Sequence, residues 1–295
     1  MHAAGSVPVS SRRAGFTILE LMVAMVITAV LGMALVRTMV SSNQFIDRIE
    51  SGREARGAAR AGLNLTTSEL RMVSAGTGVE AATATSVTVR VPFRFGVSCA
   101  SSVGAPGLVV AMMMPADTTI ASTSLGYNGF ATLGSGGEYT YVNTLVIPTV
   151  GVTATCTGTP ANLSLVISAT VASLTGIVPA LIAPATPIML WRRVRYEFGA
   201  SAATPGRLAL WRRQLNNAGT ITQSDEIASP LDTASRFGFY INNSRVASDT
   251  VPTALGNLRG IELRLTGASA RTARGTTRPE QSRVLSSIFF LNRPD

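Results

Sequence analysis

The chain has no lysine: all 25 of its basic residues are arginine. Its only histidine is His2 and its only cysteines are Cys99 and Cys156. Charged residues make up 14%, about half the usual quarter, and aromatics 6%. These gaps remove much chemistry. Without lysine there is neither a Schiff base nor a P-loop. A lone histidine at the extreme N-terminus leaves a Ser-His-Asp or Cys-His arrangement without its base. Two cysteines cannot close a tetrahedral zinc site, so neither metal nor cofactor is expected. The length, 295 residues, is ample for a buried core. The net charge of +9 invites nucleic acid or anionic lipid. The arginines, however, are scattered among strand-like segments rather than gathered in a stripe, which reads as a solvated basic surface.

What is present is concentrated at the N-terminus. A short polar leader, residues 1–15, ends in Arg12-Arg13-Ala14-Gly15, and residues 16–36 are apolar. As a helix those 21 residues reach about 31 Å, the thickness of a bilayer's hydrocarbon core. The paired arginines before the run keep that end cytoplasmic and send the rest outward. One residue does not belong in a plain anchor: Glu20, a carboxylate inside the span, costs several kcal/mol unless it is paired. A twin-arginine signal at Arg12-Arg13 or secretory cleavage near Gly32-Met33-Ala34 would leave Glu20 unexplained.

The arrangement Gly15-Phe16-Thr17-x-x-Glu20 resembles the prepilin-type signal of type IV pilins and type II secretion pseudopilins. The resemblance implies cleavage between Gly15 and Phe16 by a prepilin peptidase and N-methylation of Phe16. It also implies that Glu20, fifth in the mature chain, meets the terminal amine of a neighbouring subunit. Opposite charges attract strongly in a low-dielectric bundle where either alone is penalised. The same resemblance implies other minor and major pilins, the inner-membrane assembly platform and membrane lipid as partners. It places the protein as a single-pass inner-membrane subunit with an extracytoplasmic head, later incorporated into a filament.

Beyond the span the helical period continues through Phe45, Ile49, Ala59, Leu63, Leu70 and Val73, predicting one helix over 16–76 that a glycine stops at Gly76. Residues 77–188 read as a β-rich insertion with little charge, only Asp117 and Glu138 falling between Gly96 and Trp191. Cys99 and Cys156 lie within it as a candidate disulfide, permitted by export. Residues 189–295 predict four or five antiparallel strands. Val194, Tyr196 and Phe198 alternate, the turn Thr204-Pro205-Gly206 makes a hairpin, and Phe237, Phe239, Ile261, Leu263 and Leu265 supply further apolar faces. The exported helix is the expected cover. The expectation is α+β: a long N-terminal helix, transmembrane in its first half, on an antiparallel sheet with a β-rich insertion. The C-terminal order V-x-Y-x-F, then G-x-L-x-L-W-R-R, then F-x-F-Y resembles minor pilins of the PilW and PulJ/GspJ type.

Three function classes follow. The first is a non-catalytic minor pilin or pseudopilin, suited by its bulky head to a priming or tip complex. The second is a tip adhesin or a DNA-uptake pilin, with nucleic acid left open as a partner. The third is an anchored enzyme working with carboxylates such as Asp225 and Glu226, which the sequence places on a loop.

Overall fold

The computed structural model describes residues 17–99, 109–113, 126–134, 139–144, 148–156, 165–174, 186–242 and 244–290. One helix, α1, runs unbroken from Ile18 to Leu70. Its 53 residues span about 80 Å at 1.5 Å per residue. After it come β1 (Val79–Ala82), β2 (Ser86–Cys99), β3 (Val109–Met113), β4 (Gly129–Leu133), β5 (Tyr139–Val142), β6 (Pro148–Cys156) and β7 (Leu165–Leu174). The last third forms β8 (Pro187–Ala200), β9 (Leu208–Leu215), β10 (Ile221–Leu231), β11 (Arg236–Ile241), β12 (Leu258–Ala268) and β13 (Gln281–Phe289). The last third thus has six strands where the alternation predicted four or five.

The strands form one sheet, and the pairings among them are antiparallel. β12 is flanked by β13 on one edge; its other edge takes β11 and then the end of β10, which meets it at Leu231–Gly267. From β10 the order continues through β9, β8, β2, β3 and β7 to β6. Eleven residue pairs join β2 to β8, from Ser86–Glu197 to Val97–Pro187. The first strands after the helix and the C-terminal strands therefore belong to one surface. The β8–β9 hairpin turns where Pro205-Gly206 stands, with Gly206 at φ +81°.

The C-terminal part of α1 covers this sheet. Ala59, Leu70 and Val73 pack with Val87, Val89, Val91, Val194 and Tyr196, and with Phe237, Phe239, Ile261, Leu263, Leu265 and Ile288, all buried, and Ala55 is buried as well. Small residues set the spacing. A Cβ at Gly62 would stand 2.6 Å from the Ala228 Cβ, and one at Gly267 would stand 1.8 Å from the Ala55 carbonyl oxygen. The helix backbone rests directly on β12 at that point.

The helix ends as an ion-paired latch. Arg212 Nε on β9 donates to both oxygens of Glu69, at 3.1 and 3.0 Å, and the Tyr196 hydroxyl on β8 donates to the same carboxylate. Burial pushes the Tyr196 hydroxyl well above its usual pKa, and the Glu69 charge adds to this, so it stays a donor. The helix ends at Leu70 with Arg71 as its C-cap, six residues short of the stop expected at Gly76, which lies in the following turn at φ +73°.

Two expectations fail. Phe45 and Ile49, which open the helical period of the segment expected to cover the sheet, are exposed, because the first buried helix residue is Ala55. Asp225 and Glu226 lie within β10, paired with Arg212 and Trp211 of β9, and not on a loop.

Candidate functional site: the projecting helix

Between Ile18 and Val40 every large apolar side chain of α1 is at least half exposed, and the first buried residue of the helix is Ala55. A rod with this composition cannot stand in water at such a cost in apolar exposure. It is long and apolar enough to cross a bilayer. One polar side chain within it is prepared for such a solvent: the Thr28 hydroxyl donates to the Ala24 carbonyl at 2.8 Å. Arg37 follows directly on Val36, where a guanidinium can reach headgroup phosphates.

Glu20 is the one charged residue from Ile18 to Val36. The sequence left Thr17 without a role, and the structure supplies one. Thr17 is the N-cap, with extended backbone at ψ 149°, and its hydroxyl accepts from the Glu20 backbone N–H at 3.3 Å. Thr17-Ile18-Leu19-Glu20 is the capping-box pattern, signalled by Thr three residues ahead of Glu. The cap fixes where the helix starts and hence how high Glu20 stands above it. Gly15 and Phe16, the expected cleavage and methylation site, lie outside the described residues. So do the side chains of Cys99 and Cys156. Their strands, β2 and β6, have β3 and β7 between them.

The carboxylates suggested for catalysis have another use. Neighbouring residues of a strand point to opposite faces, so Asp225 and Glu226 do not share a site. Asp225 accepts from Gln223 Nε2 at 3.0 Å. Glu226 staples the β8–β9 turn: Ser201 Oγ donates to it at 2.6 Å, and the N–H groups of Ala202 and Ala203 at 2.8 and 3.3 Å. Burial alone would raise its pKa. The hydrogen bonds from Ser201, Ala202, Ser229 and Ala203 together outweigh that and hold it below the usual carboxylate range. It is therefore ionised at neutral pH and poorly suited to act as a general acid. A depressed folded-state pKa contributes stability above the unfolded value, near 4.3, which is lost as pH falls through the folded one. Thermal melts should show Glu226→Gln less stable than wild type above about pH 5, with the gap closing below about pH 4. A gap independent of pH would refute the assignment.

The structure also revises the reading of the arginines. Many sit in ion pairs of the head, such as Arg90 and Arg193 on Glu80, and Arg213 on Glu197. Along α1, however, Arg53, Arg56 and Arg60 are exposed and fall on one side of the helix, a row that strand-by-strand reading of the sequence overlooked. Spacing of three and four within a helix was the available signal.

Residues 10–36 match the family model described as the prokaryotic N-terminal methylation motif. No match is found among curated proteins or among solved structures. The matched motif supports processing of the type IV pilin kind, and the apolar helix it opens is a membrane anchor.

Proposed function

We propose that this protein is a non-catalytic minor pilin or pseudopilin, built into a type IV pilus or type II secretion pseudopilus through α1. One observation carries the reading: a single helix that is exposed and apolar from Ile18 to Val36, save for one carboxylate near its start, and wedded to a sheet over its last turns. Such a rod needs two environments in sequence, lipid before assembly and neighbouring apolar helices after it. The methylation motif at residues 10–36 and the long-helix-on-sheet layout support the same reading. The head extends well beyond the strands that cover the helix, through β3, β6 and β7. A head so broadened is easier to place at a filament's end than to repeat along it, which favours a priming or tip position. Prepilin peptidase, companion pilins and the inner-membrane platform are the partners this requires.

The test is the mature N-terminus. Protein recovered from membranes should begin at Phe16, methylated on its α-amine, by terminal sequencing and mass spectrometry. A chain beginning at Leu35, or still carrying residues 1–15, would refute the proposal.

A further inference from the structure

The exported part of α1 presents three faces. Ala55, Ala59 and Gly62 hold the sheet. At 100° per residue, Arg53, Arg56 and Arg60 share an arc of about 60° on one flank, and Asp47, Glu50 and Glu54 share an equal arc on the other. The two rows have the same spacing, three residues and then four, and each acid precedes its arginine counterpart by six positions.

Each row is a liability in the single molecule, because like charges three and four residues apart repel. No carboxylate lies within ion-pair distance of Arg53, Arg56 or Arg60 among the described residues; Arg56 Nε donates to the Gly52 carbonyl instead, at 3.0 Å. On the other flank Glu54 accepts from the Ala270 N–H at 3.2 Å, and Asp47 has only the long, exposed contact of Arg274 at 3.6 Å. Glu50 has no ion-pair partner among the described residues. Arg271 and Arg274 line a cleft with these acids, and of the two only Arg274 forms an ion pair there among the described residues, with Asp47.

We propose that α1 makes a parallel, staggered contact with a second copy of this chain. The arginine row of one copy meets the acid row of the next, displaced outward by six residues, about 9 Å along the axis. This rests on the filament-subunit reading and adds to it a specific neighbour and register. The matched spacing makes a second copy the best-fitting occupant, since that register brings Arg53 to Asp47, Arg56 to Glu50 and Arg60 to Glu54. The rows lie about 120° apart around the helix. The contact is therefore head-to-tail and not closed about a twofold axis, so one row on each of the two copies stays open to a companion pilin. The same displacement sets Glu20 of the first copy about 4.5 Å below the N-cap Thr17 of the second. That is where a mature amino terminus would enter, so one register serves both charge pairings.

The test places a benzophenone photo-cross-linking amino acid at Gly57, where a side chain meets nothing within 4 Å, in the full-length protein in its membrane. The wild-type rows should give a dimer-sized adduct. Both R53E/R56E/R60E and D47R/E50R/E54R should reduce it by about tenfold. Co-expressing the two variants should restore it, since each then carries the row the other lacks. R53Q/R56Q/R60Q, which preserves helix propensity, should lie between. Adduct unchanged by reversal, no rescue in the mixture, or adducts only with a different protein would overturn the proposal. Terminal sequencing of the same samples separates the two ideas. Mature Phe16 without the adduct rejects the self-contact and leaves the filament reading standing, whereas an unprocessed chain rejects the filament reading itself.

Discussion

Gly267→Val should cost the head about 3 kcal/mol or more, one of the two largest effects expected from a single change here. The new Cβ would stand 1.8 Å from the Ala55 carbonyl oxygen and 2.8 Å from its carbon. Those are backbone atoms in the middle of a helix, so no side chain can swing aside. Either α1 lifts from the sheet or β12 bends away from β13, and either movement opens the core around Leu265 and Ala59. For a domain of this size the loss corresponds to a melting temperature lower by about 10 °C. Gly267→Ala should behave almost as badly, since the clash belongs to the Cβ itself. Gly57→Ala is the control: its Cβ would meet nothing within 4 Å, and alanine there should leave the melting temperature unchanged or slightly raised. Equal melting of Gly267→Val and wild type would show that the helix does not lie on β12 as described.

Glu20→Ala is expected to leave export and cleavage intact while reducing incorporation into the filament by about a hundredfold, equivalent to about 2.7 kcal/mol. A carboxylate in the bilayer is costly unless paired, and truncating one member of a desolvated pair leaves the other unsatisfied. A second role competes, because an acidic side chain in the first turn of a helix, three residues after the N-cap Thr17, also favours its dipole. Glu20→Gln separates the two. Glutamine occupies the capping-box position and keeps the length but carries no charge. Loss equal to that of alanine supports ammonium pairing; near-normal incorporation would mean that Glu20 serves the helix end alone. Immunoblots of sheared filaments against whole-membrane protein make the comparison.

Much of this architecture was legible in the residues. An uninterrupted apolar run followed by a 3.6-residue period predicted the helix, whereas the stop read at Gly76 lies six residues beyond its end at Leu70. Alternation in Val194-Tyr196 and Phe237-Phe239 predicted sheet faces that are indeed buried. Two features escaped for physical reasons. Helix periodicity shows which residues share a face but not where along the rod a partner begins. Phe45 and Ile49 therefore read as part of the segment covering the sheet, although the sheet is engaged by alanine and glycine farther on. In β10, Ile221–Leu231, the polar stretch Thr222-Gln223-Ser224-Asp225-Glu226 breaks the alternation, and an adjacent acid pair looks like a turn. Its strand character comes from pairing with β9, a tertiary effect that local pattern does not record. The arginine row was readable in principle, since its spacing is a property of the helix alone.

The junction between anchor and head has a mechanical consequence. Gln44 lies only eight positions beyond Val36, the end of the apolar run, and its side chain already touches the head, a Cβ at Gly275 standing 3.4 Å from its Nε2. That clearance is about 12 Å of continuous helix, little more than the headgroup layer, with no pliable tether inside it. As the proposed filament subunit it would behave as a piston: drawing the rod out of the lipid by one step would raise the head by the same step, with no slack to absorb the stroke.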